Sequence, residues 1–166
     1  MKHYLVSLVL LFSIYNFADA QTDSVTNEPV FFLDSVRVRS DILYTYDPND
    51  LAAISVFKDS TAIKILGNEG KNGVIYITTK KYAKEKYWKY FNSKSPEYSK
   101  AVPSIDNESN VVYILNQEVL TGDFIGTLFY IDNDSFIDLK VLTKKQLKKE
   151  FRIKDKDWGI LIRTKT

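Results

Sequence analysis

The chain has 166 residues and no cysteine, which excludes disulfide bonds, thiol nucleophiles and thiolate metal sites. Histidine occurs once, at His3, so the most common general base and the most common metal ligand are almost absent. The formal net charge of +2 is close to neutral and indicates no particular partner. We therefore expect no catalytic residue, no cofactor site and no metal site. Chemistry by carboxylates or by a serine-lysine pair stays open, although no spacing points to it.

The N-terminal residues have the pattern of a secretory signal peptide. Lys2 gives a short basic start, residues 4–17 are mostly apolar, and Ala18-Asp19-Ala20 is an A-x-A cleavage site. The apolar run is too short to span a bilayer comfortably, although an uncleaved anchor is the alternative. We expect residues 1–20 to be removed on export, residues 21–28 to form a flexible N-terminus, and no transmembrane segment to remain.

The most informative stretch of the chain runs from Asp47 to Lys81. Its first four residues are dense in turn and helix-start types, and residues 53–57 are short and β-rich, as a buried strand would be. Asp59 can cap a helix, and three glycines then punctuate a polar loop before a second strand at residues 74–79. The positions that define this pattern are Asp47, Pro48, Asp50, Lys58, Asp59, Gly67, Gly70, Asn72 and Gly73.

This stretch resembles the C-terminal half of the plug domain of TonB-dependent outer-membrane receptors, especially the SusC-type receptors of Bacteroidetes. The family pattern is roughly N-P-x-D-I-x-x-I-x-V-L-K-D-A-x-A-x-x-I-Y-G-x-x-G-x-N-G-V-I-x-I-x-T-K. Upstream, residues 29–34 look like the strand before the family's Asp-Gly turn, so the resemblance covers about residues 29–81. The matching positions of the main pattern are Pro48, Asp50, Ile54, Val56, Lys58, Asp59, Ala62, Ile65, Gly67, Gly70, Asn72, Gly73, Val74, Ile75, Ile77, Thr79 and Lys80.

The resemblance implies an exported protein of the bacterial envelope, either periplasmic or associated with the outer membrane. In the family's receptors the plug occludes a transmembrane barrel that follows it in the chain. Too few residues follow Lys81 for such a barrel, so we expect a plug-like module without a pore. The implied partner is an unidentified envelope protein, for example a component of TonB-dependent transport. Peripheral contact with a membrane surface also stays open.

The second half of the chain repeats the order of the first. We predict two diverged copies of one β-β-α-β unit, with chance similarity between two amphipathic stretches as the alternative. Thr143 and Gln146 form a capping box at the start of the second helix. The corresponding segments are residues 112–116 with 30–34, residues 139–142 with 54–57, and residues 158–165 with 72–79, which puts Gly159 in the place of Gly73.

The predicted fold is α+β, a two-layer plug-like domain. Its two β-β-α-β repeats share one sheet, with both helices on one face. Repeat 1 spans residues 29–91 and ends in a helix that can bury Tyr87, Trp88 and Phe91 on one side. Residues 92–110 hold two prolines and several serines, and we interpret them as a linker. Repeat 2 spans residues 111–166.

The remaining patterns have structural explanations that we favour. Asp47 and Asp50 lie in a turn before a helix, where carboxylates serve as caps rather than as an acid-base pair. The glycine loop at residues 67–73 lacks the spacing of a phosphate loop and precedes a strand. Two lysine-rich runs fit solvated helix faces better than a nucleic-acid surface. We expect a non-enzymatic, protein-binding module; a small envelope hydrolase and a purely structural domain are the alternatives.

Export can be checked directly on the native protein. If the A-x-A site is cleaved, mass spectrometry will find Gln21 at the N-terminus, as glutamine or as pyroglutamate. An intact Met1 in a cytoplasmic fraction would contradict export.

Overall fold

The computed structural model describes residues 27–165, apart from the side chain of Asn107. The signal peptide predicted at residues 1–20, together with most of the N-terminal segment predicted at residues 21–28, lies outside the described residues.

The strands and helices follow one another in two similar series. The first series is β1 (Val30–Leu33), β2 (Val36–Val38), β3 (Leu51–Phe57), α1 (Asp59–Leu66) and β4 (Val74–Thr79), followed by α2 (Lys80–Lys94) and α3 (Pro96–Ala101). The second series is β5 (Val111–Leu115), β6 (Glu118–Val119), α4 (Ile125–Phe129), β7 (Phe136–Thr143), α5 (Lys144–Gln146) with a π-helical turn at Leu147–Phe151, and β8 (Trp158–Thr164). Short 3-10 helices lie at Ser40–Thr45, Pro48–Asp50, Gly67–Asn72 and Ile105–Asn110.

Each series forms its own four-stranded sheet, and the two sheets have the same topology. The strand order is β2-β1-β4-β3 in the first sheet and β6-β5-β8-β7 in the second. In both sheets the two central strands are parallel and each edge strand is antiparallel to its neighbour. The predicted α+β fold with two plug-like repeats is confirmed. The repeats do not share one sheet, however, because each repeat supplies the central and edge strands of a sheet of its own.

A side-chain clasp recurs at the same place in both sheets. The Asp34 carboxylate accepts hydrogen bonds from the Thr79 N–H and the Thr79 hydroxyl, both at 2.8 Å. In the second sheet the Asn116 amide oxygen accepts from the Thr164 N–H, and its NH₂ donates to the Thr164 hydroxyl, both at 2.9 Å. Asp34 and Asn116 both have a φ of 49°, a left-handed conformation that Asp and Asn tolerate better than most residues. The two halves therefore share backbone detail as well as strand order.

In each sheet the antiparallel pair of the last two strands contains a shift in register, and this shift fixes the correspondence between the two sheets. The register shifts between Leu51 and Ala53 in β3, and between Phe136 and Asp138 in β7. Gly159 pairs with Leu142 and Val112, so it takes the place that Val74 has in the first sheet.

The sequence alignment that equated Gly159 with Gly73 was therefore wrong by one position. Gly73 has a φ of +100°, which favours glycine, and it precedes its strand. Gly159 lies within its strand, and a Cβ there would collide with the Leu147 side chain.

The main core lies on one face of the second sheet. The fully buried Ile160 and Ile162 of β8 lie there in one cluster with aromatic side chains of α2 and α3. A smaller cluster on the opposite face packs the buried Leu147 against the sheet. Both clusters are made of residues after position 86, so the first sheet contributes to neither. The first sheet is therefore less well covered than the second.

The segment predicted as a linker, residues 92–110, is largely helical and partly buried. Ser95 caps α3, since its hydroxyl accepts from the Tyr98 N–H at 3.1 Å, and Pro96 takes the first helical position. Tyr98 and Val102 are fully buried in the main core. The serine and proline that suggested a linker are here the start signals of a helix.

Helix α2 joins the two halves. It begins directly after β4, where the Thr79 hydroxyl accepts from the Tyr82 N–H at 3.1 Å. It buries Ala83, Tyr87 and Phe91 at four-residue spacing, so its apolar side faces the second sheet. Trp88 is half-buried beside them. Among residues 27–165, no helix is both long and apolar enough to cross a lipid bilayer.

This arrangement predicts that the two halves fold as one unit, through α2 rather than through a common sheet. A fragment of residues 21–100 would expose Tyr87, Phe91 and Tyr98, which need the second sheet for cover, and we expect it to be unfolded or self-associated. The mature chain should melt in one transition. A monomeric, cooperatively folded fragment in circular dichroism and sedimentation would contradict this.

Candidate functional site

One face of the first sheet consists of apolar side chains apart from Thr79 at the end of β4. Alternate residues of a strand share a face, and the register places partners side by side. The residues on this face are Val36 and Val38 of β2, Phe31 and Leu33 of β1, Ile75 and Ile77 of β4, and Ile54 and Val56 of β3. We call it the open face.

The open face is poorly covered, above all along β3. Ile54 is 58% exposed and Val56 is 53% exposed, and Val36 at the opposite edge is 65% exposed. Leu33 and Ile77 in the middle of the sheet are buried. Scattered apolar side chains on a surface are ordinary, but neighbouring ones on one sheet face form a patch of the kind that binds other molecules.

Helices cover the corresponding face of the second sheet, so the exposure of matching residues can be compared between the two sheets. By the shared register, Ile75 corresponds to Ile160, and Phe31 to Tyr113. Ile160 is 0% exposed and Tyr113 is 1% exposed, whereas Ile75 and Phe31 are only half-buried. The cover of the second sheet comes from α2, α3 and α4. On the first sheet the lower cover is seen at Phe31, Ile54, Val56 and Ile75, whereas Leu33 and Ile77 are buried.

The opposite face of the first sheet is closed by its own helix. Ala62 of α1 is fully buried, and it corresponds to Leu147, which packs on the matching face of the second sheet. Gly70 packs so tightly against the Ala62 carbonyl that a Cβ there would collide with it. Val74, whose side chain points to this face, is fully buried. Helix α1 therefore leaves only the open face available.

The free edge of β3 is partly occupied by α4 and the residue after it. Gly126 lies against the Ala52 carbonyl, where a Cβ would not fit. The Tyr130 and Ser55 hydroxyls are hydrogen bonded at 2.7 Å. A new strand could therefore not pair along the whole edge, and the available surface is the face of the sheet.

Lys58 adds a positive charge to the rim of the open face. Its backbone is still extended, with φ −130° and ψ 167°, so its side chain continues the alternation of Ile54 and Val56. It is exposed and forms no ion pair with another described residue. The strand residues on this face include no acid.

The carboxylates of the predicted motif lie near the open sheet without forming a site of their own. The Asp47 carboxylate caps the turn at Pro48–Asp50 and accepts from the Asn49 N–H at 2.8 Å. Asp50 is exposed in the same turn. Asp59 was expected to cap α1, but it is the first helical residue, with a φ of +51°, and Lys58 stands at the cap position.

The glycine loop connects α1 to β4. Gly67 ends α1 with a φ of +62°, and Gly73 accommodates the chain beside the Phe57 carbonyl. Asn72 is half-buried between them. The loop thus has a structural role, and neither it nor the caps bring functional groups together.

A second polar feature is a buried cluster of three tyrosines around Glu108. The Tyr87 hydroxyl donates to both Glu108 oxygens at 3.0 Å, and the Tyr113 hydroxyl donates to Oε1 at 2.6 Å. The Tyr98 and Tyr113 hydroxyls are 2.9 Å apart. Burial raises the pKa of all three phenols, and the Glu108 charge raises it further. These side chains tie α2 and α3 to β5.

A cavity of about 720 Å³ opens beside this cluster. Its charged lining is balanced, with the lysines Lys80, Lys81 and Lys84 and the acids Glu85, Asp106 and Glu108. Lys80 is paired with Asp123 at 2.7 Å. Because both Glu108 oxygens accept phenol hydrogen bonds, its carboxylate is held in the fold. Among the residues described, no three His, Cys, Asp or Glu side chains converge as metal ligands would.

Comparison with known proteins agrees with the sequence pattern over part of the chain. TonB-dependent receptor P26 of Formosa agariphila is 38% identical to it over 56 residues, which is 33% of this chain. TonB-dependent receptor P3 of the same organism is 41% identical over 56 residues, or 28% of this chain. The chain contains a TonB-dependent receptor plug-like region. The match covers 6% of the length of each relative. No family model matches the chain, and no solved structure matches it.

Sequence reasoning found the strands of the open face but missed its exposure. Ile54, Val56 and Ile75 were matched as positions of the receptor pattern. Exposure depends on whether a helix from elsewhere in the chain covers the sheet, and the sequence of the strands does not contain that information.

The tyrosine cluster predicts loss of stability at alkaline pH. The folded state holds its phenol protons above pH 10.0, the ordinary tyrosine pKa, while the unfolded chain releases them there. The free energy of unfolding should therefore fall above that pH, by about 1.4 kcal/mol per pH unit for each such phenol. Urea unfolding at pH 8 and pH 11 measures this. Tyr113→Phe should reduce the slope, and an unchanged slope would contradict a role for that phenol.

Proposed function

We propose that this chain is an exported, non-enzymatic plug-like module of the bacterial cell envelope that binds another protein. Its place is periplasmic or at the outer membrane, as an accessory of TonB-dependent uptake. The similarity to two receptors supports the context. The observation that carries the binding role is the open face, where Ile54 and Val56 are more than half exposed on a largely apolar sheet surface.

A protein surface suits the open face better than a small molecule does. Small-molecule sites are concave and surround most of their ligand, whereas a sheet face offers contact from one side only. Ile54, Val56 and Ile75 form a continuous apolar area of this kind, with Lys58 at its rim. Such an apolar centre with a charged rim is the usual anatomy of a protein interface.

The environment of the carboxylates that line the cavity supports the non-enzymatic part of the proposal. The carboxylates available to the hydrolase alternative in the cavity beside α2 are Glu85, Asp106 and Glu108. Glu108 accepts hydrogen bonds from Tyr87 and Tyr113 and is mostly buried, so its geometry serves packing.

A pull-down from cell envelope extract tests the binding role. The tagged mature protein should retain an envelope protein that Val56→Asp loses, because a carboxylate in the centre of an apolar interface is left without a partner. Ile137→Asp is the matched control, since Ile137 is 52% exposed against 53% for Val56 and lies in the second sheet. Failure to retain any protein, or equal retention by Val56→Asp, would contradict the proposal.

A further inference from the structure

We propose that the open face receives an amphipathic helix of the partner protein, with an apolar stripe of large side chains and a carboxylate that meets Lys58. This inference rests on the proposed function and specifies the partner's chemistry. Its basis is the internal comparison between the two sheets.

The second sheet supplies the geometry of the complex. Its corresponding face is covered by α2, whose Ala83, Tyr87 and Phe91 form one stripe at four-residue spacing. The two sheets share strand order, register and bulge, so they present the same curved surface to whatever packs on them. A helix that packs on one sheet would therefore meet a surface of the same shape on the other.

The side chains on the two seats are also of similar size and character. Ile54 corresponds to Leu139, Val56 to Val141 and Ile75 to Ile160. In the second sheet Ile160 belongs to the cluster that contains Tyr87 and Phe91, and Leu139 and Val141 pack against that cluster. Since the first sheet keeps equally large apolar residues at the surface, it has the same capacity to bury an aromatic stripe.

A helix fits better than an added strand. Strand addition needs a long free edge, and the two edges of the first sheet do not offer one. The β2 edge has only three residues, Val36–Val38. The β3 edge is obstructed by Gly126 at the Ala52 carbonyl and by Tyr130 at Ser55. On the face, Ile54 and Val56 are more than half exposed.

The charge at the rim of the open face determines which kind of helix would bind there. Lys58 continues the alternation of Ile54 and Val56 and forms no ion pair with another described residue, and the strand residues on this face include no acid. A carboxylate on the incoming helix would complement it. Helix α2 itself is rich in lysine, at Lys80, Lys81, Lys84, Lys86, Lys89 and Lys94, so a free copy of α2 would be repelled. The open face therefore selects an acidic helix over one like α2.

Two peptides made from residues 80–94 test this inference. Both keep Ala83, Tyr87, Trp88 and Phe91 and carry a staple on the polar side, because an isolated helix of this length is marginal in water. One keeps the native lysines, and the other has glutamate at each lysine position. Fluorescence anisotropy of the labelled peptides measures their binding to the full mature protein.

We expect saturable binding of the glutamate peptide and weaker binding of the lysine peptide. Val56→Asp should weaken binding of the glutamate peptide by roughly ten-fold or more, as loss of a central apolar contact does. Lys58→Glu should reverse the preference between the peptides. The Ile137→Asp variant should bind both peptides with the affinity of the wild type. Thermal melting of each variant confirms that it folds, and Val56→Ser provides a milder change at the same position.

Two results would overturn the inference: no binding of the glutamate peptide, or binding that Val56→Asp and Val56→Ser leave unchanged. These outcomes are separate from the fate of the proposed function. If the envelope pull-down retains a protein that Val56→Asp loses, but neither peptide binds, the protein-binding role stands and the helical partner is wrong. If the glutamate peptide binds but the pull-down retains no protein, the helix-binding surface is supported and the binding of an envelope protein is not.

Discussion

The structure depends on the burial of one side of helix α2 against the second sheet. The helix continues directly from β4, so it belongs to the first repeat along the chain, yet Tyr87 and Phe91 lie in the core of the second. Burying a large aromatic side chain stabilises a fold by about 1.5–3 kcal/mol. Because the side chains of this helix that lie in the main core pack on the second sheet, that sheet is the better covered of the two.

The strands and the first helix could be predicted because their signals are local. The β-rich run before Lys58, the glycine loop and the strand after Gly73 each carry residues that suit one backbone conformation. The helix that starts at Pro96 was not predicted, since serine and proline serve loops as well as helix starts, and the burial of Tyr98 is what distinguishes the two here. The place of Gly159 was misread because glycine also serves close packing, which depends on Leu147, a residue distant in sequence.

The exposure of the candidate site could not be predicted from the strands alone. Ile54 and Leu139 occupy corresponding places, and alternation gives the same apolar pattern around both. One is exposed and the other half-buried only because α2, α3 and α4 gather on the second sheet. Periodicity tells which residues share a face; it does not tell which face a helix from elsewhere in the chain will occupy.

An exposed apolar sheet face usually invites aggregation, and the protections around this one bear on its role. The hazard of a sheet is greatest at its edges, where unpaired N–H and C=O groups can extend the ladder into another chain. Here β2 is short, and Gly126 and Tyr130 hold the β3 edge, so edge-to-edge pairing is limited while the face stays free. This arrangement suits the proposed binding role, because it permits packing on the face while it limits indiscriminate strand pairing. Lys58 narrows the choice of what packs there, since an approaching cation is repelled and an approaching carboxylate is attracted.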